Sequence, residues 1–193
     1  METVKKAAAT GWARQDLAGI AQEVVNLYEP HQFYPVLHCF RFRETHYAMA
    51  RVVLVAMDAA TLIRSGLDEE RCTSLVHSAA VAALWGSGQQ LLEALSASFL
   101  ADSDPDGGPG EEALVAWRER YHHALVRFRA EGIAVAEDAE AGADSYVSLR
   151  RQWDRYVFAF AEMMVHAWEE VAPLEINASK GDEAEGRFHP VGK

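Results

Sequence analysis

Cysteine is almost missing from this chain of 193 residues: there are two, Cys39 and Cys72. Neither belongs to a Cys-x-x-Cys pair, which excludes zinc ribbons and dithiol redox motifs. In a chain with half its residues hydrophobic they read as buried thiols. A disulfide between them stays open without being indicated, and a reducing cytoplasm is the expected compartment. Positive charge is also scarce. Eighteen Lys and Arg face 29 Asp and Glu, a formal net charge of -11. That balance excludes nucleic acid and anionic membrane surfaces as ready partners. The densest basic pieces, Arg118–Arg120 and Arg150–Arg155, are broken by acids and aromatics. No apolar run approaches the roughly 18 residues of a spanning helix. Met1–Thr10 holds Lys5, Lys6 and three alanines, and this is no signal peptide. Gly-x-Ser-x-Gly, a phosphate-binding loop and the dinucleotide fingerprint are all missing.

What is present is helical patterning. From Glu44 to Ile63 a full charge occurs only at every seventh residue: Glu44, Arg51 and Asp58. Seven residues are nearly two turns, so the charges fall in one narrow stripe. A helix apolar around the rest of its circumference must be wrapped, and charges within the span argue for wrapping by protein. The expected fold is all-α, a helical bundle of about five main helices around this buried central helix. Residues 1–174 form the bundle, and 175–193 form a disordered polar tail.

The other helices follow from spacing and punctuation. Leu17, Ile20, Ala21 and Val24 mark a helix over about Trp12–Tyr28, ended by Glu29-Pro30. Pro30–Arg43 is aromatic and irregular. Ser65 followed by Asp68, Glu69 and Glu70 looks like a capped helix start, leading to about Leu100. Its core positions are Leu84, Gly88, Leu91 or Leu92, Leu95 and Phe99, with Gly86 and Gly88 admitting a bend or a close neighbour. Glu111–Glu131 has the seam Leu114, Trp117, Tyr121, Ala124 and Phe128, with Gly132 as its left-handed cap. A last long helix over about Glu137–Val171 has the seam Tyr146, Leu149, Trp153, Tyr156, Phe160, Met163 and Ala167.

Few constellations carry chemistry. Asp102-Ser-Asp-Pro-Asp106-Gly107 opens like a calcium loop, but position twelve is Ala113 rather than a bidentate glutamate. It reads as a solvated connection. The eight histidines are His31, His38, His46, His77, His122, His123, His166 and His189. His166, with Glu162 four residues earlier, is one weak pair at helical metal-ligand spacing, and a di-iron bundle is not expected. The stripe Trp117, Tyr121, Trp153 and Tyr156 reads as core. Metal ligands, cofactors and catalytic residues are therefore not expected. Arg51 and Asp58 remain as candidate ligand-binding residues. They lie two turns apart, so each is expected to pair with a neighbouring helix, since an unpaired buried charge is costly. Alternatively they line a cleft.

One resemblance extends this reading. His46-Tyr47-Ala48-Met49-Ala50-Arg51 through Asp58 to Ile63, then Leu67-Asp68-Glu69-Glu70, Ser78 to Trp85, Leu91-Leu92 and Phe99-Leu100 resemble bacterial two-transmembrane potassium channel-like proteins. Glu137-Asp138-Ala-Glu140-Ala-Gly142, Tyr146 to Arg150 and Trp153-Asp154-Arg-Tyr156 are similar too. The similarity covers most of residues 40 to 160. In those proteins such a region follows the pore on the cytoplasmic side. This chain has no pore helices and no Thr-Val-Gly-Tyr-Gly filter, so it does not itself conduct ions. It is either an excised cytoplasmic domain or a stand-alone relative. The resemblance implies a non-enzymatic cytoplasmic module for assembly or regulation, at the inner face of the membrane and beside a membrane-embedded channel portion. The extra apolar residues Val147, Val157, Phe158, Met164 and Trp168 widen the last helix's stripe, and a homo-oligomer is expected. A small-molecule-binding domain around Arg51 and Asp58 is the alternative, and a metal-dependent bundle enzyme a third.

Overall fold

The computed structural model describes residues 15–26, 49–99 and 109–163. The irregular segment Pro30–Arg43, Cys39, the loop Asp102–Gly107 and the tail 175–193 lie outside them. All regular structure among the described residues is helical, with one isolated antiparallel bridge, Leu67 to Val135. The helices are α1 (15–26), α2 (Met49–Gly66), α3 (Thr73–Val76), α4 (Ala79–Phe99), α5 (Glu111–Ala130), α6 (Ala139–Arg150) and α7 (Asp154–Met163).

α2 is central. It packs against α3, α4, α5, α6 and α7, and it shares a core cluster with α1. Leu54 and Met57 are fully buried, and Ala50, Val53, Ala56 and Ala60 are buried around them. Burying a side chain such as Leu54 contributes about 1.5–3 kcal/mol. Within the charged stripe Asp58 does not meet water. Val55 is 43% exposed while Asp58 is 2% exposed. The helix turns an apolar residue outward and a carboxylate inward.

The core has two parts. Leu17, Ala21 and Val24 of α1 join Val53, Leu54 and Met57, with Val81, Leu84, Leu91 and Leu92 of α4, and Trp153, Val157 and Phe160. Separately, Leu62 of α2 joins Trp117, Tyr121, Ala124 and Leu125 of α5 with Ala143, Tyr146 and Val147 of α6. The expected close approach on α4 occurs at Gly88, where an added Cβ would run into Met57 Sδ; at Gly86 there is open space.

Two long helices expected from periodicity are each interrupted. After Gly66 the chain leaves the helix instead of starting the next one. Asp68 N–H donates to the Ala134 carbonyl at 3.1 Å, and Ala136 N–H to the Gly66 carbonyl at 2.9 Å. These pairings tie the α2 exit to the α5–α6 loop. Ser65 therefore caps nothing; its hydroxyl donates to the Thr61 carbonyl. The serine at the start of α4 is Ser78, whose Oγ accepts from Val81 N–H at 3.2 Å. The second break follows Arg150. Gln152 and Trp153 donate to the carbonyls three residues back, and the chain tightens into a turn before α7. The two large side chains at this corner, Arg150 and Trp153, are both drawn onto α2.

α5 ends as its sequence indicates. Gly132 has φ +71; its N–H reaches the Arg129 carbonyl and that of Ile133 the Phe128 carbonyl. That pair of bonds is a Schellman cap. Asp138 caps α6 by accepting from Glu140 and Ala141 N–H.

Candidate functional site

Asp58 sits at the middle of α2, facing the α5–α6 side. Its Oδ2 accepts from Arg120 Nη2 of α5 at 2.9 Å. Its Oδ1 accepts from Arg150 Nη1 of α6 at 3.1 Å and from the Tyr146 hydroxyl. Arg150 Nη1 also donates to the Tyr146 hydroxyl at 2.7 Å, and its Nε to Asp154 Oδ1 at 2.9 Å. Two carboxylates and two guanidiniums thus form one network across α2, α5, α6 and the start of α7. Its formal charge balances.

The network is dry. Side-chain exposure is 2% at Asp58 and at Arg150, 11% at Arg120 and 15% at Asp154. The guanidinium of Arg150 also lies 5.0 Å from the Trp117 ring centre and 5.2 Å from that of Trp153, which supports its charge through the ring faces. Burial works against that charge. The surrounding Tyr146, Asp154 and Asp58 outweigh it and hold the Arg150 pKa above the usual guanidinium range. Burial pushes the Tyr146 hydroxyl well above the usual phenol range; Arg150 opposes this and Asp58 adds to it. Burial likewise raises Asp154, against the pull of Arg150. Arg120 Nε is a buried donor with no partner among the described residues.

A row of hydroxyls continues the seam along α2. Trp153 Nε1 donates to Thr61 Oγ1 at 3.1 Å, and Thr61 donates to the Met57 carbonyl at 2.6 Å. Tyr121 donates to the Ser65 carbonyl at 3.1 Å. Only a glycine permits that last contact, because a Cβ on Gly142 would strike the Tyr121 hydroxyl.

Of the two candidate residues, Asp58 proves to be the centre of this network. Arg51 lies two turns earlier, half-buried. An open cleft of ≈ 800 Å³ lies elsewhere, and neither residue lines it. One wall comes from Arg64 to Glu70, His77, Ser78 and the start of α4; the other comes from Ala136 to Asp138, Ala141 and Gly142. Asp68, Glu69, Glu70, Glu137 and Asp138 make the cleft acidic. Some of these are engaged: Asp138 caps α6, and Glu69 meets His77 Nε2 at 2.9 Å.

Among the described residues no group of three or more His, Cys, Asp or Glu could hold a metal ion. His122 approaches Glu140 at 3.5 Å on the surface. Cys72 is a free thiol whose Sγ donates to the Ala134 carbonyl at 3.6 Å. The stripe Trp117, Tyr121 and Trp153 is core, with Tyr156 half-buried against it. No helix among the described residues is long and apolar enough to cross a membrane. Comparison with protein-family models, curated proteins and solved structures finds no match.

The partners Arg120, Arg150 and Asp154 are the functional-looking residues that periodicity alone passes over; Tyr146 lies on the expected seam, read there as core. A signal for them exists. Tyr146, Arg150 and Asp154 recur at four-residue spacing on the inward seam, where a buried arginine demands a carboxylate.

Proposed function

We propose that this chain is a non-enzymatic helical module for assembly or regulation, akin to the cytoplasmic region of bacterial two-transmembrane potassium channel-like proteins. One observation supports the reading most. The separated segments that resemble those proteins meet one another in space: Asp58 with Tyr146 and Arg150, and Thr61 with Trp153. A resemblance spread over most of residues 40 to 160 then corresponds to one shared packing seam. The seam's charges are consumed by each other, as in a part whose task is to hold a shape. On this reading the module works at the inner face of a membrane, beside a pore, and as a homo-oligomer.

The test is reconstitution. A two-transmembrane potassium channel pore stripped of its own cytoplasmic helical region is placed in liposomes and mixed with the purified chain. The chain is expected to co-sediment with pore-containing liposomes and to change potassium flux. A chain left in the supernatant, with flux unaltered, removes the channel reading.

A second reading, a small-molecule-binding helical domain, is favoured by the acidic cleft. Its carboxylates select for a cationic ligand. A polyamine probe whose binding is weakened by Glu70→Gln and Glu137→Gln supports it; no binding at low salt removes it.

A further inference from the structure

α5 and α6 pack extensively on each other and on α2, whereas α4 and α7 pack on α2 and on one another. The hydrophobic core divides along the same line, one cluster holding α1, α4 and α7 with α2, the other α5 and α6 with Leu62 of α2. Between the clusters runs the polar seam Asp58, Thr61 and Ser65, all buried on α2. α2 therefore carries two layers, and the α5–α6 layer meets it through Leu62 and through a buried polar strip that separates the two clusters.

We propose that α5, α6 and the loop joining them form a unit that opens from α2 separately from the rest of the bundle, with Asp58 as the latch that keeps it shut. Asp58 is the carboxylate shared by both arms of the unit, through Arg120 of α5 and Arg150 of α6. When its charge is lost, two buried guanidiniums are left with only Asp154 between them, and the same network that held the unit pushes it off. The charged and titratable groups gathered on Asp58 are Arg120 from α5, Tyr146 and Arg150 from α6, and Asp154 from α7 by way of Arg150. The turn 151–153 is the hinge on one side, and Trp153 stays pinned to Thr61 on the α2 side of it. The two walls of the acidic cleft belong to different layers, so opening the latch also changes the cleft. A molecule seated there would be coupled to the latch through this geometry. The inference stands on packing alone and does not depend on the channel reading.

Hydrogen exchange read by mass spectrometry on the full chain tests it. In Asp58→Asn, amides of residues 111–150 are expected to exchange roughly tenfold faster or more, while those of α4 change little. A uniform increase across α2, α4, α5 and α6, or none, overturns the latch. If that variant does not fold, the unaltered protein in sub-denaturing urea answers the same question. Amides of α5 and α6 should exchange through an opening reached at lower urea than those of α2 and α4, and a single shared transition overturns the proposal. Asp58→Leu combined with Arg120→Met, Arg150→Met and Asp154→Asn should return α5–α6 protection towards that of the parent, because no charge of the network remains; protection still lost there assigns the effect to shape rather than charge and overturns the latch.

Discussion

Asp58 and Arg150 are 92 residues apart in sequence, yet they meet at 3.1 Å with 2% of each side chain exposed. Both ions have given up their water, and each is compensated only by the other's network. Replacing such a pair whole is often neutral, but breaking it strands a charge. Asp58→Ala is therefore expected to cost about 3–5 kcal/mol in urea unfolding. Arg118→Ala is the control. Arg118 spans to Asp144 and Glu140 across α5 and α6, but at 40% exposure with partners still more open. Its loss should cost no more than about 1 kcal/mol. Equal costs for the two variants would deny that the buried network holds the bundle.

How far the sequence led differs from place to place. The central helix was legible because its apolar circumference leaves no room for a solvent face wider than a strip. Trp117, Tyr121, Ala124, Tyr146, Trp153 and Phe160 were legible because large residues recur at three-four spacing, and all six are buried. Gly132 was legible because a left-handed cap needs a residue without Cβ. At Arg150 the seam was misjudged: Leu149 was the expected core residue, but it is half-buried and Arg150 is buried. Periodicity weighs polarity, and a paired arginine looks polar until its partner is known. The break after Arg150 was hidden for a related reason: bonds to a distant part of the chain make it, Arg150 to Asp58 and Trp153 to Thr61, and no proline or glycine announces it. The end of the central helix was expected one turn early, at Ile63; the part that was hidden is the non-helical stretch that follows Gly66, tied to Ala134 and Ala136.

Gly142 is expected to resist substitution. An added Cβ would displace the Tyr121 hydroxyl and crowd the Ser65 carbonyl, 3.0 Å away. Although alanine has the higher helix propensity, Gly142→Ala should destabilise by about 1–3 kcal/mol, the usual cost of overpacking. Tyr121→Phe removes the atom in the way. A double-mutant cycle should then show favourable coupling, with the pair of changes costing less than the sum. Simple additivity would mean that the contact does not limit this position.

Alkaline pH should unfold the protein through its buried phenol. Burial, opposed by Arg150 and reinforced by Asp58, raises the folded-state pKa of Tyr146 above its unfolded value. The folded state then keeps a proton that the unfolded chain releases near pH ~10. Stability from this group is fully present below that pH and is lost as pH rises from there towards the folded value. The slope is up to about 1.4 kcal/mol per pH unit. Urea unfolding compared between about pH 9 and about pH 11 should show the decline, and Tyr146→Phe should flatten it. Phenolate absorbance completing its titration near the ordinary pH while circular dichroism stays folded would contradict the assignment.

Self-association is the remaining test, and the structure narrows it. Val147 and Val157 widen the apolar stripe of the last helices in sequence, but both are buried within the chain, against α5 and against α2 and α4. Phe158 remains 41% exposed on α7. A two-fold interface built on α7 would place that residue against its own copy or close to it, since an isologous contact returns each residue to the neighbourhood of the axis. Sedimentation at micromolar concentration is expected to give a species of twice the 21.4 kDa chain mass. Phe158→Glu should shift it to monomer, the shift read by sedimentation with circular dichroism confirming that the variant is folded. A single 21.4 kDa species for the parent chain would remove the oligomer. A dimer untouched by Phe158→Glu would move the interface to another face, such as α5, where Val115 and Val126 are 52% and 60% exposed.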